Sequence, residues 1–226
     1  MLIGILQTGQ LPETLRPSLG DYPQMFAALL AHQDLEFRTF HVEAMDFPAD
    51  VHDCEGWIIT GSRHGAYEDH PFIPPLEAFI RRAFEAGVPM VGICFGHQII
   101  AQALGGRVEK FDGGWTVGTQ GYDFEGERLV LNAWHQDQVV TLPPGAEIIA
   151  RGETCAIAGL RWGDRALTVQ AHPEFGDAVV EGLMEARARG VVPDALLERA
   201  EGLVGSPKDN DVLARKIGAF FRRDRA

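Results

Sequence analysis

Short apolar runs alternate with amphipathic segments along the first half of the chain. The runs have the length of strands and end at turn residues, which is typical of strands buried within a sheet. Between them, apolar residues recur every three or four positions, as on one face of a helix. This alternation predicts a parallel sheet with right-handed crossover helices on both faces. The predicted strands are 2–7, 37–42, 57–60 and 90–93, and the predicted helices begin after Asp21 and span 75–86 and 96–104.

The pattern changes after residue 107. Short strand-like pieces, separated by turn residues, continue as far as Gln170. They predict antiparallel hairpins that are added to the parallel core. The pieces are 121–124, 128–131, 147–150, 156–162 and 167–170.

The C-terminal part is predicted to be helical. Its last segment carries an apolar stripe, which we attribute to packing against the sheet rather than to a partner-binding face. We therefore expect one domain over 1–226, with a helical extension from about residue 178. The three helical segments are 178–189, 193–204 and 209–223, and the stripe consists of Leu213, Ile217, Phe220 and Phe221.

Composition and charge narrow the class of protein. The chain has 226 residues, 46% hydrophobic and 23% charged, as in a globular protein with one sizeable core. A formal charge of −12 repels phosphate backbones and anionic membranes, so we predict neither nucleic-acid nor membrane binding. No apolar run has the length of a membrane span, and the first residues suit a strand rather than a signal peptide. Three cysteines without CxxC spacing argue against a disulfide framework, and these features together predict a cytoplasmic protein.

The strongest local signal surrounds Cys94. An apolar strand ends at this cysteine and a helix begins directly after it. Glycines at 92 and 96 leave room for a tight turn that lifts the thiol clear of the sheet, as in a nucleophile elbow. The free amides and the dipole of the helix N-terminus favour a thiolate there. A lone cysteine is more often a small buried hydrophobic residue, which is our interpretation of Cys54 and Cys155, whereas the junction at Cys94 favours a nucleophile.

A base for this thiol is offered by the segment Ala-His-Pro-Glu-Phe, which follows the strand ending near Gln170. Pro173 stiffens the link between His172 and Glu174. An imidazole beside a carboxylate can take the proton of a thiol and return it to a leaving amine. Alone, the two side chains would be interpreted as a surface pair at a strand end. Together with the elbow, they predict a nucleophile–base–orienter triad.

The sequence GICFGHQ around Cys94 and the later AHPEF resemble the motifs of the class I glutamine amidotransferases. The two motifs stand in the family's order, and the resemblance covers about residues 2–175. Two motifs in the right order are a specific signal. As a stand-alone member, the chain is similar to the amidotransferase domain of GMP synthase and to γ-glutamyl peptidases. The resemblance implies a flavodoxin-like α/β fold, with a mostly parallel sheet flanked by helices and a few antiparallel strands.

The resemblance also implies roles for individual residues. Cys94 is the expected nucleophile, His172 the base and Glu174 its orienter. The backbone amides of Gly61 and Phe95 are the expected oxyanion hole, because they match the family's positions.

Substrate-binding residues are implied less directly. The resemblance assigns this role to Gln98, although its side chain could equally be satisfied by neighbouring backbone. Trp134, His135 and Asp137 lie where the family grips the glutamate-like end of the substrate.

This last segment departs from the pattern of many synthetase-linked members, which have a small polar residue and a glycine where this chain has Trp134 and Gln136. Trp115 and Trp134 could wall a wider pocket or be core tryptophans. Because of this difference, the substrate could be glutamine or a larger γ-glutamyl compound.

These features predict hydrolysis of the γ-glutamyl amide of glutamine through a γ-glutamyl thioester. A stand-alone γ-glutamyl peptidase is the alternative within the same chemistry, and a non-catalytic binding or regulatory relative is the alternative outside it. Other cysteine hydrolases with this elbow, such as the PfpI-like group, lack the late His-Pro-Glu segment. A separate synthetase subunit could accept the ammonia, as in the synthetase-linked members.

No cofactor and no metal are predicted. The chain contains neither a GxxxxGK[ST] loop nor a GxGxxG fingerprint after a strand. His64, His70 and His97 do not stand at metal-ligand spacing with acids or cysteines. We expect His64 and His70 to be loop residues and His97 to pack beneath the elbow.

Overall fold

The computed structural model describes residues 1–223, so residues 224–226 of the expected domain lie outside the described part. The strands are β1 (Leu2–Leu6), β2 (Glu36–Phe40), β3 (Gly56–Ile59), β4 (Met90–Ile93), β5 (Arg107–Lys110), β6 (Thr116–Phe124), β7 (Glu127–His135), β8 (Asp137–Thr141), β9 (Glu147–Gly152), β10 (Gly159–Trp162) and β11 (Ala166–Val169). The helices are α1 (Arg16–Leu19), α2 (Tyr22–Leu29), α3 (Ile73–Glu85), α4 (Phe95–Ala103), α5 (Asp177–Leu183), α6 (Asp194–Gly202) and α7 (Asn210–Phe221). A 3₁₀ turn covers Val42–Ala44, and a π-helical turn covers Met184–Ala188.

The larger sheet has nine strands in the order β2-β1-β3-β4-β11-β10-β9-β6-β7. Neighbouring strands are parallel from β2 to β11. They are antiparallel from β11 to β7. Strands β5 and β8 pair separately in a small antiparallel sheet. The expected α/β class, with a parallel sheet and added antiparallel strands, is confirmed.

The elements of the first half follow the sequence pattern closely. Helix α2 begins with the expected cap, since the Asp21 carboxylate accepts from the amide of Tyr22. The Gln24 side chain accepts in turn from the amide of Asp21, which completes a capping box. The short helix α1 was not predicted.

The antiparallel half differs from the expectation. Strands β6 and β7 each have nine residues and pair from Thr116 opposite His135 to Phe124 opposite Glu127, so both are longer than the predicted pieces. Strands β5 and β8 were not predicted, and the piece expected from 156 begins only at Gly159. These bounds are set by the partner strand, which a local pattern does not reveal.

Two large hydrophobic clusters cover the two faces of the sheet. Along β3, Ile58 belongs to one cluster, and Trp57 and Ile59 belong to the other. The apolar stripe of α7 is buried in the first cluster together with residues of α2 and β7, which confirms packing within the core. Among residues 1–223, no helix has the length and apolar character to cross a membrane.

The helix expected over 178–189 is interrupted. Helix α5 ends at Leu183, and the chain continues as the π-helical turn. Such turns widen the helix by one residue and often occur at functional sites. Here the turn carries Arg187 to the site described next.

Candidate active site

Cys94 occupies the turn between β4 and α4. Its backbone has φ 53° and ψ −103°, a conformation that costs a non-glycine residue about 1–3 kcal/mol. Its amide donates to the carbonyl of Val169 at 2.9 Å. Ideal Cβ atoms at Gly92 and Gly96 would approach carbonyl oxygens at 2.4 and 2.1 Å, so both positions need glycine. The turn therefore has the form expected for a nucleophile elbow.

The thiol of Cys94 lies in a polar environment. The Gln170 side-chain amide donates to Sγ at 3.6 Å, and Sγ lies 3.9 Å from the carbonyl oxygen of Trp134. Gln170 is fully buried and also accepts from Gln98 at 3.2 Å. Gln170 was not predicted to belong to the site, although a polar residue at the end of a buried strand was a visible signal.

His172 and Glu174 form a buried pair beside the thiol. Nδ1 of His172 lies 2.7 Å from Oε1 of Glu174, which leaves Nε2 available to the thiol. The His172 amide donates to the carbonyl of Asn132 at 2.8 Å, which ties this segment to β7. The Phe175 ring stacks on the imidazole at 3.9 Å between centroids. These contacts hold the imidazole in one orientation.

The electrostatics of the pair favour a charged imidazole. Burial lowers the pKa of His172, but negative charge on Cys94 and Glu174 and hydrogen bonds to both raise it further, so the net shift is upward. A protonated imidazole beside a thiol stabilises negative charge on the sulfur. The arrangement can supply a nucleophile and a proton donor together.

Two backbone amides are available for an oxyanion. Phe95 is the first residue of α4, so its amide has no acceptor within the helix. Gly61 follows β3, and its amide donates to no acceptor found among residues 1–223. An ideal Cβ at Gly61 would lie 2.9 Å from Oη of Tyr22 and 3.0 Å from Cε1 of His172. Only glycine leaves that space free.

Tyr22 was not predicted to belong to the site. It is the first residue of α2, and its ring stacks on Phe175 at 6.0 Å. Burial and the negative charges of Glu174 and Cys94 raise the pKa of its hydroxyl well above the usual value. A neutral hydroxyl can both donate and accept hydrogen bonds.

The residues predicted to bind substrate occupy different positions around the site. Gln98 is buried, and its amide donates to the carbonyl of Asp137 at 2.8 Å. His135 is buried, and its Nδ1 lies 3.3 Å from the same carbonyl. Because a carbonyl only accepts, Nδ1 carries the proton and Nε2 remains an acceptor without a partner in the described part of the chain. Burial, followed by the charge of His172, lowers the pKa of His135 to about 3, so this imidazole is neutral.

Asp137 and Trp134 complete this side of the site. The Asp137 carboxylate accepts from the Tyr67 hydroxyl at 3.2 Å. Burial is the main cause that raises the pKa of Asp137. Trp134 and Trp115 are half-buried and meet edge to face at 6.3 Å. Both line the pocket, so they are wall residues rather than core tryptophans.

The pocket beside Cys94 has a volume of about 460 Å³. Its side chains carry both signs of charge. Glu68 and Asp137 are acidic, and Arg63, Lys110 and Arg187 are basic. The pocket could therefore bind a zwitterionic or dianionic ligand.

The remaining histidines do not belong to the predicted triad. His97 is fully buried beneath the elbow, as expected, with Nδ1 2.8 Å from the Thr168 hydroxyl and Nε2 3.1 Å from the carbonyl of Ile157. His64 and His70 lie in the loop after β3, but the structure brings a ligand atom of each within 4.8 Å of the other and of Glu68. This grouping was not expected from the spacing. His70 contacts Glu68 at 2.8 Å and His64 contacts Glu43 at 3.1 Å, so both imidazoles already have carboxylate partners.

The chain is similar to known proteins of one family. Residues 21–180 match the family model of class I glutamine amidotransferases. Glutamine amidotransferase-like protein C13C5.04 of Schizosaccharomyces pombe is 31% identical over 97% of this chain and 98% of its own length. Gamma-glutamyl peptidase 4 of Arabidopsis thaliana is 29% identical over 76% of this chain and 75% of its own.

A GMP synthase and a solved amidotransferase structure are also similar to this chain. A GMP synthase of Cupriavidus pinatubonensis is 31% identical over 85% of this chain but only 40% of its own length. The crystal structure of a glutamine amidotransferase from Methylobacillus flagellatus shares the fold, with a TM-score of 0.81, 24% identity and coverage of 99% of this chain and 96% of that one.

Fold and site together define an α/β protein with a cysteine at a nucleophile elbow. The chain belongs to the class I glutamine amidotransferase family, because that family's model matches well over half of its residues.

Proposed function

We propose that this protein hydrolyses γ-glutamyl amide bonds, with Cys94 as nucleophile, His172 as general acid and base, and Glu174 as its orienter. The proposal rests mainly on one observation. Cys94 and His172 line one pocket, and the buried Glu174 carboxylate is hydrogen-bonded to His172. Family membership supports the same chemistry.

In the proposed reaction, the Cys94 thiolate attacks the γ-carbonyl carbon. The amides of Gly61 and Phe95 bind the developing oxyanion. His172 then gives its Nε2 proton to the leaving nitrogen as the C–N bond breaks, and a γ-glutamyl thioester forms. A water molecule, deprotonated by His172, attacks the thioester and releases glutamate, and the thiolate and the imidazolium are restored.

A γ-glutamyl peptide is the second candidate substrate beside glutamine. Trp115, Trp134 and Arg187 line the same pocket as Cys94, and its volume of about 460 Å³ gives room for a leaving group larger than ammonia. Similarity to a γ-glutamyl peptidase, which is 29% identical over about three quarters of both chains, supports this candidate. A synthetase partner subunit that accepts ammonia also stays a proposal, supported by the GMP synthase relative.

The test is glutamate release from glutamine and from γ-glutamylglycine by the wild type, Cys94→Ala and Cys54→Ala. Cys54 is a matched control, because it is buried away from the pocket. We expect Cys94→Ala to abolish turnover and Cys54→Ala to retain it. The better substrate distinguishes the glutaminase from the peptidase.

Two outcomes would contradict the proposal. Turnover retained by Cys94→Ala would exclude this thiol as the nucleophile. A wild type that is inactive on both substrates, with a Cys94 that resists alkylation, would favour a non-catalytic binding protein.

A further inference from the structure

Arg187 places a cation at the pocket, and no carboxylate among residues 1–223 pairs with it. It belongs to the π-helical turn after α5, is half-buried, and lines the same pocket as Cys94. Within residues 1–223 it forms neither an ion pair with a carboxylate nor a hydrogen bond. A partly desolvated guanidinium is stabilised by an anion, and its planar fork suits a carboxylate.

The surroundings of Arg187 favour an anionic ligand. Burial, followed by the nearby charge of Arg63, lowers the pKa of Arg187 from its ordinary value. Arg63 is mostly exposed and lies 3.8 Å from Glu43 at its nearest approach. Two guanidinium groups therefore contribute positive potential to this part of the pocket.

Tyr22 links Arg187 to the reacting centre. Its hydroxyl stands beside Gly61 and the imidazole of His172. Tyr22 and Arg187 line the same pocket. The Tyr22 hydroxyl has no hydrogen-bond partner within the described residues, so it is free to donate to a ligand.

The position of His172 assigns this region to the leaving group. In the proposed reaction the leaving nitrogen lies against His172, whose imidazole is beside the Tyr22 hydroxyl, and the pocket that both residues line is also lined by Arg187. The glutamyl end is served by different groups. The Asp137 carboxylate lines the pocket and can accept from its α-ammonium group.

Resting on the proposed function, we infer that Arg187 and the Tyr22 hydroxyl form a subsite for the carboxylate of the leaving group. The substrates would then be γ-glutamyl amino acids or peptides whose leaving amine carries a nearby free carboxylate. The hydrolysis is the one described above, with the leaving nitrogen taking the His172 proton and departing as a free amino acid or peptide.

The test compares γ-glutamylglycine with γ-glutamylglycinamide, which differ in the charge of the leaving group. We expect the wild type to prefer the carboxylate by about 10- to 100-fold in kcat/KM, as for a charge-assisted hydrogen bond. Arg187→Met should remove most of this preference through KM, with kcat little changed. Arg187→Lys should retain part of it, and Tyr22→Phe should reduce it by about 3- to 10-fold.

Arg189 is the matched control. It is exposed, follows the same π-helical turn and does not line the pocket. Arg189→Met should keep the wild-type preference. The inference is overturned if the wild type shows no preference, or if Arg187→Met lowers activity on both compounds equally.

Binding to Cys94→Ala separates this inference from the hydrolytic proposal. Titration calorimetry with the two intact compounds should show tighter binding of the carboxylate form, and this difference should vanish in Cys94→Ala/Arg187→Met. If neither compound is hydrolysed by the wild type but the difference in binding is found, the hydrolytic proposal fails and the carboxylate subsite stands. Equal binding of both compounds would refute the subsite.

Discussion

Cys94 combines an unfavourable backbone conformation with a thiol that faces three polar groups. The turn holds the strained φ because glycines on both sides allow strand and helix backbones to approach closely. The imidazole of His172 is oriented in turn by Glu174 and Asn132. The position of each of these side chains is set by one or two neighbours. Single substitutions should therefore separate the contributions of these neighbours to activity.

Glu174→Gln tests the orienting carboxylate. The amide keeps the shape but loses the charge, so one cause of the raised pKa of His172 disappears and this pKa should fall. We expect kcat to drop on the order of 10²- to 10⁴-fold, as when the carboxylate of other triads is neutralised. The checks are steady-state kinetics and NMR titration of His172. Glu185→Gln, at an exposed position, is the control, and an unchanged kcat in Glu174→Gln would contradict the assigned role.

Gly61→Ala tests the space at the proposed oxyanion amide. The new Cβ would press on the Tyr22 hydroxyl and the His172 ring, so one or both must move. We expect at least a tenfold loss of kcat, since misplacement of a single oxyanion donor is costly. Gly202→Ala is the matched control, because a Cβ there meets no atom within 4 Å. Equal kinetics for Gly61→Ala and wild type would exclude this site for the oxyanion.

At the scale of elements, helix starts bring functional groups to the carboxyl edge of the parallel strands. Helix α4 begins at Phe95, directly after the thiol, and α2 begins at Tyr22, directly after its cap. The π-helical turn after α5 likewise brings a functional group to the pocket, because it carries Arg187. The pocket is thus assembled from the ends of elements, as is usual for α/β sheets.

Asp21→Ala tests the start of α2. It removes the capping box and also the bonds from Leu11 and Gln7 to the Asp21 carboxylate. Loss of the cap should lower the free energy of unfolding by about 1–2 kcal/mol. It should also raise KM, because Tyr22 loses its fixed position. Urea unfolding and kinetics measure both effects, with exposed Asp69→Ala expected to stay within about 0.5 kcal/mol of the wild type. A stability unchanged by Asp21→Ala would contradict the role of the cap.

At the scale of the whole molecule, the sheet is covered on both faces, and burial extends to polar groups that join its layers. His97 on α4 contacts Thr168 of β11 and the carbonyl of Ile157. Burial lowers its pKa to about 4, so it is neutral in the folded protein. This links stability to pH, because the unfolded chain binds a proton at a higher pH than the folded one.

The stabilising contribution of a neutral, buried His97 is lost as the pH falls. Above about pH 6.5 neither state protonates His97, and its contribution to stability is complete. As the pH falls from 6.5 toward 4, only the unfolded chain gains the proton, and stability decreases by about 1.4 kcal/mol per pH unit. His135 acts in the same direction, whereas the raised pKa of His172 acts in the opposite direction and only above about pH 6.5.

His97→Gln should therefore flatten the slope of unfolding free energy between pH 6.5 and 5. The glutamine can still donate to Ile157 and accept from Thr168, so the folded state should be retained. Urea unfolding at several pH values measures the slope. An unchanged slope in His97→Gln would show that this histidine does not cause the pH dependence of stability.

The sequence by itself determined the α/β class, the cap at Asp21, the elbow at Cys94 and the candidate pair of His172 and Glu174. These features are encoded within about ten residues, where periodicity, glycine and capping chemistry act locally. The elbow and the His172–Glu174 pair were expected to lie close together, because parallel strands end at one edge of the sheet.

Only the tertiary structure decided the surroundings of that centre. Gln170, Tyr22 and Arg187 carry no motif. Gln170 contacts Cys94 from a strand end, whereas Tyr22 and Arg187 line the pocket of Cys94 from a helix start and a π-helical turn that lie far apart in the chain. The lengths of β6 and β7 depend on their pairing with each other. The same pairing sets the position of Trp134 at the pocket wall. Such placements result from packing and pairing between distant segments, which a local pattern does not specify.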